Sequence, residues 1–263
     1  MPPTVAATKR EREQARKRQA KWDERQARTR ERRRRTWAIV AILAILALVG
    51  GTAVVAGLGG ASGPAASGTP AAAGDCPAAS TGARSGGELP DPSAAEGRTW
   101  TATLDMCAGG TESQVVMELD GAAAPQAVAS FVSLADGGYY DDTACHRLTT
   151  SGIHVLQCGD PTGTGSGDPG YSYGPVENAP ADNVYPAGTV AMARASGDGE
   201  SMGSQFFIVY QDSTIPSDAA GGYTVLGTVT SGLDAVQAVA DAGTVEGTES
   251  PTSPVIIEGV ETQ

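Results

Sequence analysis

Basic residues are nearly absent from the larger, C-terminal part of this 263-residue sequence. No lysine follows residue 21, and from residue 99 onward there are only two arginines, Arg147 and Arg194, and two histidines. Residues 1–36 hold fourteen of the 18 Lys and Arg and five of the 30 Asp and Glu, and so carry +9. The remainder, with four basic and 25 acidic residues, carries −21. Phosphate backbones repel so acidic a region, which argues against nucleic-acid binding.

Charged residues are missing altogether from residues 37–58, between the basic and the acidic region. As a helix at about 1.5 Å per residue this segment spans roughly 33 Å, enough for a bilayer core. Four arginines, residues 32–35, directly precede it, which predicts a cytoplasmic N-terminus and an extracytoplasmic acidic domain. We therefore predict an uncleaved single-pass anchor in the cell membrane. A cleaved signal peptide stays open as an alternative because Ala-rich stretches follow the span, whereas the polar lead-in disfavours a buried core helix.

Large apolar side chains are scarce in residues 59–98, which are rich in Gly, Ala, Ser and Pro. This composition predicts a flexible linker of about 40 residues with an r.m.s. reach on the order of 35 Å. Residues 1–36 are interpreted as a solvated basic cytoplasmic arm, which anionic headgroups of the inner leaflet would also attract. The predicted organisation is a basic arm (1–36), a transmembrane helix (37–58), a linker (59–98) and a folded domain (99–263).

The folded domain has the pattern of short strands with two helices. Alternating or apolar runs predict strands at 100–106, 114–119, 144–150, 153–158, 189–194, 205–210, 223–229 and 255–260. Apolar residues at i, i+3, i+4 and i+7 predict a helix over 125–136, begun by a proline and ended by two glycines, and a second helix covers 233–241. Residues 159–170, rich in Gly, Asp and Pro, predict a long loop. Many short strands with two helices favour a closed β architecture with helices at its ends.

Four segments carry a family resemblance. CHRLTTSGIHVLQCGD, residues 145–160, resembles the signature hairpin of cyclophilins, in which an F-H-R strand precedes a strand ending Q-G-G-D. GTVAMAR (188–194), GSQFFI (203–208) and YTVLGTV (223–229) are similar to the family's later marker strands, in the expected order. The sequence of this hairpin resembles that of the actinobacterial extracytoplasmic branch of the family. The resemblance implies a mostly β fold, a closed eight-stranded antiparallel barrel capped by two helices, with peptidyl-prolyl cis/trans isomerase activity and no cofactor. We expect the catalytic domain to be monomeric.

The resemblance also implies the site residues. It assigns catalytic roles to Arg147, Gln157 and Gln205. The substrate-binding positions that it implies are His154, Val155, Ala193, Arg194, Phe207, Ile215 and Tyr223. The hairpin turn is two residues longer than the common pattern, so the register between Arg147 and Gln157 is the least secure part of the correspondence.

Three positions depart from the family. His154 stands where a Phe is usual, which predicts a more polar wall in the proline pocket. Arg194 replaces the usual Asn and is open to two interpretations, a substrate contact or a salt bridge. Tyr223 takes the place of a late His and keeps a hydrogen-bonding aromatic. No tryptophan follows Trp100, so the one associated with cyclosporin binding is missing and weak inhibition is expected.

The chemistry of prolyl isomerisation suits these residue types. Rotation about an X–Pro bond faces a barrier of about 18–20 kcal/mol, and no bond to carbon is made or cleaved, so neither metal nor nucleophile is required. A donor aimed at the prolyl nitrogen binds more strongly once the amide twists, and a guanidinium supplies permanent donors in a fixed plane. The predicted substrates are proline-containing segments of exported proteins. A non-catalytic proline-peptide-binding module or holdase, and a structural protein that binds a fixed envelope partner, remain as alternatives.

Three other residues of the folded domain are predicted to have structural rather than catalytic roles. Phe206 and Val128 are predicted to be core residues. His146 is predicted to be structural, because alternation along a strand turns it away from the face of Arg147.

An even number of cysteines outside the cytoplasm suggests disulfides among Cys76, Cys107, Cys145 and Cys158. Three connectivities are possible. Cys145 and Cys158 flank the hairpin, but Cys145 shares a strand face with Arg147 whereas Cys158 is next to Gln157 on the opposite face, and the longer turn can change that register. The pairing therefore stays open. Zinc binding, the alternative, lacks C-x-x-C spacing.

Overall fold

A computed structural model describes residues 76–263. The predicted basic arm and the predicted membrane helix lie outside these residues. Within residues 76–263, no helix is both long and apolar enough to cross a bilayer.

The described chain is mostly β, with two α-helices as predicted. Its strands are β1 (Thr99–Ala108), β2 (Thr111–Asp120), β3 (Thr143–Ala144), β4 (Arg147–Ser151), β5 (Ile153–Cys158), β6 (Val184–Tyr185), β7 (Thr189–Met192), β8 (Phe206–Val209), β9 (Ser213–Thr214), β10 (Val225–Ser231) and β11 (Val255–Thr262). A 3₁₀ helix covers Pro92–Ala95, and the α-helices are α1 (Pro125–Asp136) and α2 (Leu233–Ala242). Nine strands form one antiparallel sheet in the order β3-β11-β1-β2-β10-β7-β8-β5-β4, while β6 pairs with β9.

The sheet has nine strands rather than eight because the predicted strand over 144–150 is interrupted. Its first part, β3, pairs with β11, and its second part, β4, pairs with β5, so the two parts form opposite edges of the sheet. Only Cys145 and His146 separate them. Because consecutive Cα atoms are about 3.8 Å apart, the end of β3 and the start of β4 must lie close together, so the sheet is curled.

The helices form where the periodicity of apolar residues predicts them. Helix α1 covers the predicted residues, with Pro125 in its first turn and the Gly137 N–H bonded to the Ser133 carbonyl at its end. Its buried Phe131 packs against Tyr140 and, edge to face, against Phe206 inside the curled sheet, with ring centroids 5.1 and 5.4 Å apart. Helix α2 extends one residue beyond the prediction.

Alternation along the strands gives the sheet two apolar faces. Phe206 and Ile208 belong to the main core inside the curl, which α1 covers. Phe207 and Val209 point the other way and join a second buried cluster on the outer face. Phe206 and Val128 are core residues, as predicted. This outer cluster forms the base of the candidate site described below.

Residues 76–98, predicted to be part of a flexible linker, are instead fastened to the folded domain. Cys76 is disulfide-bonded to Cys107 in β1. Nη1 of Arg84 donates to the carbonyls of Tyr139 and Asp141, 2.9 and 2.6 Å away. Ala95 is fully buried. The predicted boundary at residue 98 is therefore too late, because the attachment uses a disulfide and backbone carbonyls, which leave no mark in apolar composition.

Candidate active site

The hairpin β4–β5 brings the first two predicted site residues together. Arg147 and Gln157 are directly paired across the two strands. Nη1 of Arg147 donates to Oε1 of Gln157 at 3.2 Å. The tight turn depends on Gly152, whose φ of +78° lies in the left-handed region that glycine adopts without a steric penalty. Although this hairpin is two residues longer than the family pattern, the side chains of Arg147 and Gln157 are still in contact.

Gln205 continues this hydrogen-bonded chain. Nε2 of Gln157 donates to Oε1 of Gln205 at 2.8 Å, and Nε2 of Gln205 donates to the carbonyls of Gly165 and Gly167, each 3.0 Å away. Both N–H groups of Gln205 are therefore bonded to the loop after β5. In this structure Gln205 orders that loop, and its free hydrogen-bonding capacity lies on its carbonyl oxygen.

The same loop is held from beneath by Asp160, to which the sequence analysis gives no role. Its fully buried carboxylate accepts hydrogen bonds from the backbone N–H groups of Thr162, Thr164 and Gly165, at 2.7, 3.0 and 2.6 Å. Burial alone raises the pKa of Asp160, but the hydrogen bonds from Thr162, Gly167 and Gly165 outweigh it, and the pKa lies below its usual value. Asp160 is the last residue of the segment QCGD (157–160), and its place in this segment is the feature of the sequence that could have pointed to its role.

A cavity of about 430 Å³ opens beside Arg147 on the outer face of the sheet. Val155, Phe207 and Ile215 line it and are almost fully buried, and Ala193 and Tyr223 complete its apolar wall. The ring of Tyr223 packs edge-on against Phe207, with centroids 5.6 Å apart. These positions are the ones that the resemblance implies. An apolar recess of this kind beside a cation suits a compact, uncharged ring.

His154, by contrast, does not line the cavity. Its ring packs against Tyr210 on the other face of β5, with centroids 5.7 Å apart. Val155 and Gln157 face the cavity, so alternation turns His154 away, and Ile153 lines the wall instead. The predicted polar wall of the proline pocket is therefore wrong.

His146 was predicted to point away from Arg147, yet it lines the same cavity. The prediction failed because His146 lies in the break between β3 and β4, where strand alternation does not apply. Within the described chain neither ring nitrogen has a hydrogen-bond partner. Burial lowers the pKa of His146, as does the charge of Arg147, while Asp160 opposes them. The neutral imidazole is thus favoured.

Arg194 forms a salt bridge, the second of its two interpretations. Its side chain is fully buried, and Nη1 and Nη2 donate to the two carboxylate oxygens of Asp218 at 3.0 and 2.9 Å. The other three N–H groups donate to the carbonyls of Ala195, Gly221 and Gly222, and Gly222 directly precedes Tyr223. The hydrogen bonds from Arg194 hold the pKa of Asp218 well below its usual range. Arg194 is itself among the residues that line the cavity, and its guanidinium lies 4.6 Å from the ring centroid of Tyr223, so it supports this part of the wall.

Glu249 is a charged residue of the site that was not predicted from the sequence. Glu249, in the loop between α2 and β11, lines the cavity, and its Oε2 accepts from Nε of Arg147 at 2.5 Å. It lies 102 residues from Arg147 in a segment without a recognisable pattern, so neither spacing nor resemblance pointed to it.

The cysteines pair as Cys76–Cys107 and Cys145–Cys158. Strand alternation predicts that Cys145 and Cys158 lie on opposite faces, which disfavours the second bridge. Alternation does not apply to Cys145, however, because this residue lies in the break between β3 and β4. This bridge connects the residues next to His146 and Gln157. Among residues 76–263, no group of three or more His, Cys, Asp or Glu is arranged to hold a metal ion.

Comparisons with known proteins agree with this architecture. The family model described as "Cyclophilin type peptidyl-prolyl cis-trans isomerase/CLD" matches residues 103–262. A "Probable peptidyl-prolyl cis-trans isomerase B" of Mycobacterium tuberculosis is 44% identical over 150 residues, covering 52% of this chain and 47% of that protein. Its Mycobacterium leprae counterpart is 37% identical over 183 residues, covering 64% and 60%. This chain thus spans about half the length of these mycobacterial relatives.

Two further matches cover most of the length of the protein that is compared with this chain. "Peptidyl-prolyl cis-trans isomerase B" of Bacillus subtilis is 41% identical over 122 residues, covering 46% of this chain and 79% of that protein. The crystal structure of a cyclophilin type peptidyl-prolyl cis-trans isomerase from Cryptosporidium parvum matches with a TM-score of 0.53 and 24% identity, covering 63% of this chain and 98% of that one. The structural match shows the fold alone. With the family model matching more than half of its length, this chain belongs to the cyclophilin-type peptidyl-prolyl cis-trans isomerase family.

Proposed function

We propose that the folded domain catalyses cis/trans isomerisation of X–Pro bonds in polypeptides. The observation that carries this proposal is the position of Arg147 beside the apolar cavity. Its Nε and Nη1 are bonded to Glu249 and Gln157, whereas its Nη2 has no hydrogen-bond partner among the described residues. A donor is therefore available where a proline ring would enter.

The proposed mechanism follows from amide resonance. A planar prolyl nitrogen is a poor hydrogen-bond acceptor, and it becomes a good one only when the peptide bond twists. A hydrogen bond from Arg147 is then stronger in the transition state than in the ground state, which is the condition for catalysis. Phe207, Val155 and Ile215 would hold the ring while the carbonyl on the other side of the bond rotates. Gln157 keeps the guanidinium in plane, and no proton is transferred.

The relatives support this substrate class. The mycobacterial and Bacillus proteins are named as peptidyl-prolyl isomerases. A second Cryptosporidium parvum cyclophilin structure, 26% identical with a TM-score of 0.52, is described as obtained in the presence of the dipeptide Ala-Pro. The alternative of a non-catalytic binding module drew its support from a polar His154 in the pocket. Since His154 lies on the other face, that support is lost.

A protease-coupled assay on an oxidised fragment of residues 71–263 tests the proposal. The fragment begins before Cys76, because one that began at residue 99 would leave Cys107 without its disulfide partner. We expect faster cis-to-trans conversion of a proline tetrapeptide, unchanged by EDTA. Peptide binding without acceleration would identify a binding module, and activity that needed an added divalent ion would contradict the mechanism.

The closed barrel that the resemblance implies is also part of the proposal. If β3 and β4 are counted as one strand interrupted at Cys145–His146, the nine-stranded sheet corresponds to eight strands. The disulfide between Cys145 and Cys158 would then hold the seam.

We also propose that residues 37–58 anchor the protein in the cell membrane of an actinobacterium and that exported proteins are its substrates. The charge asymmetry and the two disulfides, which suit an oxidising compartment, support this location. A reporter fused after Gln263 should be active outside the cytoplasm and remain with membranes. Recovery of the domain from the medium with a new N-terminus between residues 50 and 80 would indicate cleavage instead.

A further inference from the structure

The loop between α2 and β11 fastens Glu249 beside the edge strand β4. The Leu148 N–H donates to the Glu249 carbonyl at 2.6 Å, so the backbone of Glu249 is bonded to the residue after Arg147. The loop is also ordered internally, because Val245 N–H bonds the Ser250 carbonyl at 2.9 Å. Glu249 is thus held at a fixed place relative to the candidate catalytic arginine.

The Glu249 side chain and Gln157 hold the guanidinium through different nitrogens. Its carboxylate accepts from Nε of Arg147, and Gln157 accepts from Nη1 at 3.2 Å. A planar group bonded through two of its nitrogens cannot turn about its last bonds without breaking one of them. Arg147 is otherwise a long side chain, partly exposed, that would sample many rotamers in solvent.

We propose that Glu249 is a positioning residue for prolyl isomerisation, acting through Arg147; this inference rests on the proposed function. By occupying Nε it fixes the guanidinium plane and leaves Nη2 for the prolyl nitrogen. The carboxylate also reduces the positive potential of the arginine, so orientation and charge act in opposite directions. If orientation dominates, removal of Glu249 slows catalysis, and if charge dominates, removal accelerates it.

The variants Glu249→Ala and Glu249→Gln separate these effects in the full-length protein. Glu249→Ala removes both the acceptor and the charge, whereas Glu249→Gln keeps an acceptor. Glu246→Ala and Glu246→Gln are matched controls, because Glu246 is in the same loop and carries the same charge but has no contact with Arg147. For each variant, kcat is measured with a proline tetrapeptide and Kd with the same peptide.

We expect kcat to fall about tenfold in Glu249→Ala, which corresponds to about 1.4 kcal/mol, with Kd within twofold of the wild type. Glu249→Gln should recover at least half of the lost activity on a logarithmic scale, and the Glu246 variants should match the wild type. In an Arg147→Ala background, Glu249→Ala should have no further effect, because a residue that acts through another loses its influence with it.

Each other outcome contradicts the proposal at a defined point. An unchanged or raised kcat in Glu249→Ala would overturn the positioning role while the isomerase function stood. Equal losses in kcat and affinity, persisting in the Arg147→Ala background, would indicate a general structural role. An inactive wild type would refute the proposed function itself, and the role of Glu249 with it.

Discussion

Replacement of Arg147 by Ala separates catalysis from stability most clearly. The change removes the donor available to the twisted amide together with the bonds to Gln157 and Glu249. Loss of one preorganised donor of this kind costs about 10²–10³ in rate, or roughly 3–4 kcal/mol of transition-state stabilisation. The apolar floor of Val155, Phe207 and Ile215 remains, so the ground-state affinity for a proline peptide should fall much less.

Stability should hardly change, because the ion pair of Arg147 is exposed. The Arg147 and Glu249 side chains are 39% and 57% exposed, and such surface pairs contribute only about 0.2–1 kcal/mol. For a domain of this size the corresponding Tm shift is at most roughly 4 °C. Arg98 is a matched control, since it pairs with Glu96 at nearly the same exposure, 42% and 59%, but does not line the cavity.

The assay compares kcat/KM and Kd for one proline tetrapeptide across the wild type, Arg147→Ala, Arg147→Lys and Arg98→Ala. Arg147→Lys should restore only part of the rate, because an ammonium cannot hold the positions of three guanidinium nitrogens at once. Arg98→Ala should be as active as the wild type. An unchanged rate in Arg147→Ala would refute the assigned role, and equal losses in rate and affinity would favour a binding module.

Three further predictions concern the supports of the site. Because burial lowers the pKa of His146, the unfolded chain takes up its proton first as pH falls. Stability should therefore drop from about pH 6.5 downward, and the drop should be smaller in His146→Gln, as measured by Tm against pH. Asp160→Asn should speed hydrogen exchange of the Thr164 and Gly165 amides, and unaltered exchange would contradict its role in the loop. Arg194→Ala should lower Tm and weaken peptide binding, whereas unchanged values for both would show that the wall around Tyr223 does not need this support.

Much of the fold was predictable because local periodicity reports burial. The spacing of Val128 and Phe131 on one face of a helix gave α1 its correct bounds, and alternation separated Phe206 in the core from Phe207 in the cavity. The marker segments then implied which strand carries which site residue, and Arg147, Gln157 and Gln205 do lie in one hydrogen-bonded chain.

Two of the errors share one physical origin, since alternation holds only along an unbroken strand and in a known register. The break at Cys145 and His146 reversed the expected direction of both side chains. His154 was misplaced because the correspondence with the family set it on the cavity side, against the parity of its neighbours Val155 and Gln157. Glu249 was not predictable, because a contact across 102 residues depends on tertiary structure that no local pattern records.

If residues 37–58 are the membrane anchor, as proposed, the Cys76–Cys107 bridge limits how far from the bilayer the folded domain can lie. A linker that ran to residue 98 would allow the domain to work up to about 140 Å from the bilayer, at roughly 3.5 Å per fully extended residue. With the chain covalently attached to β1 at Cys76, only residues 59–75 separate the anchor from the domain, and the limit falls to about 60 Å. Reduction of this bridge would free only residues 76–79, because the Ser80 N–H still bonds the Asp142 carbonyl at 2.7 Å, so the limit would rise by about 14 Å and the site would stay untouched.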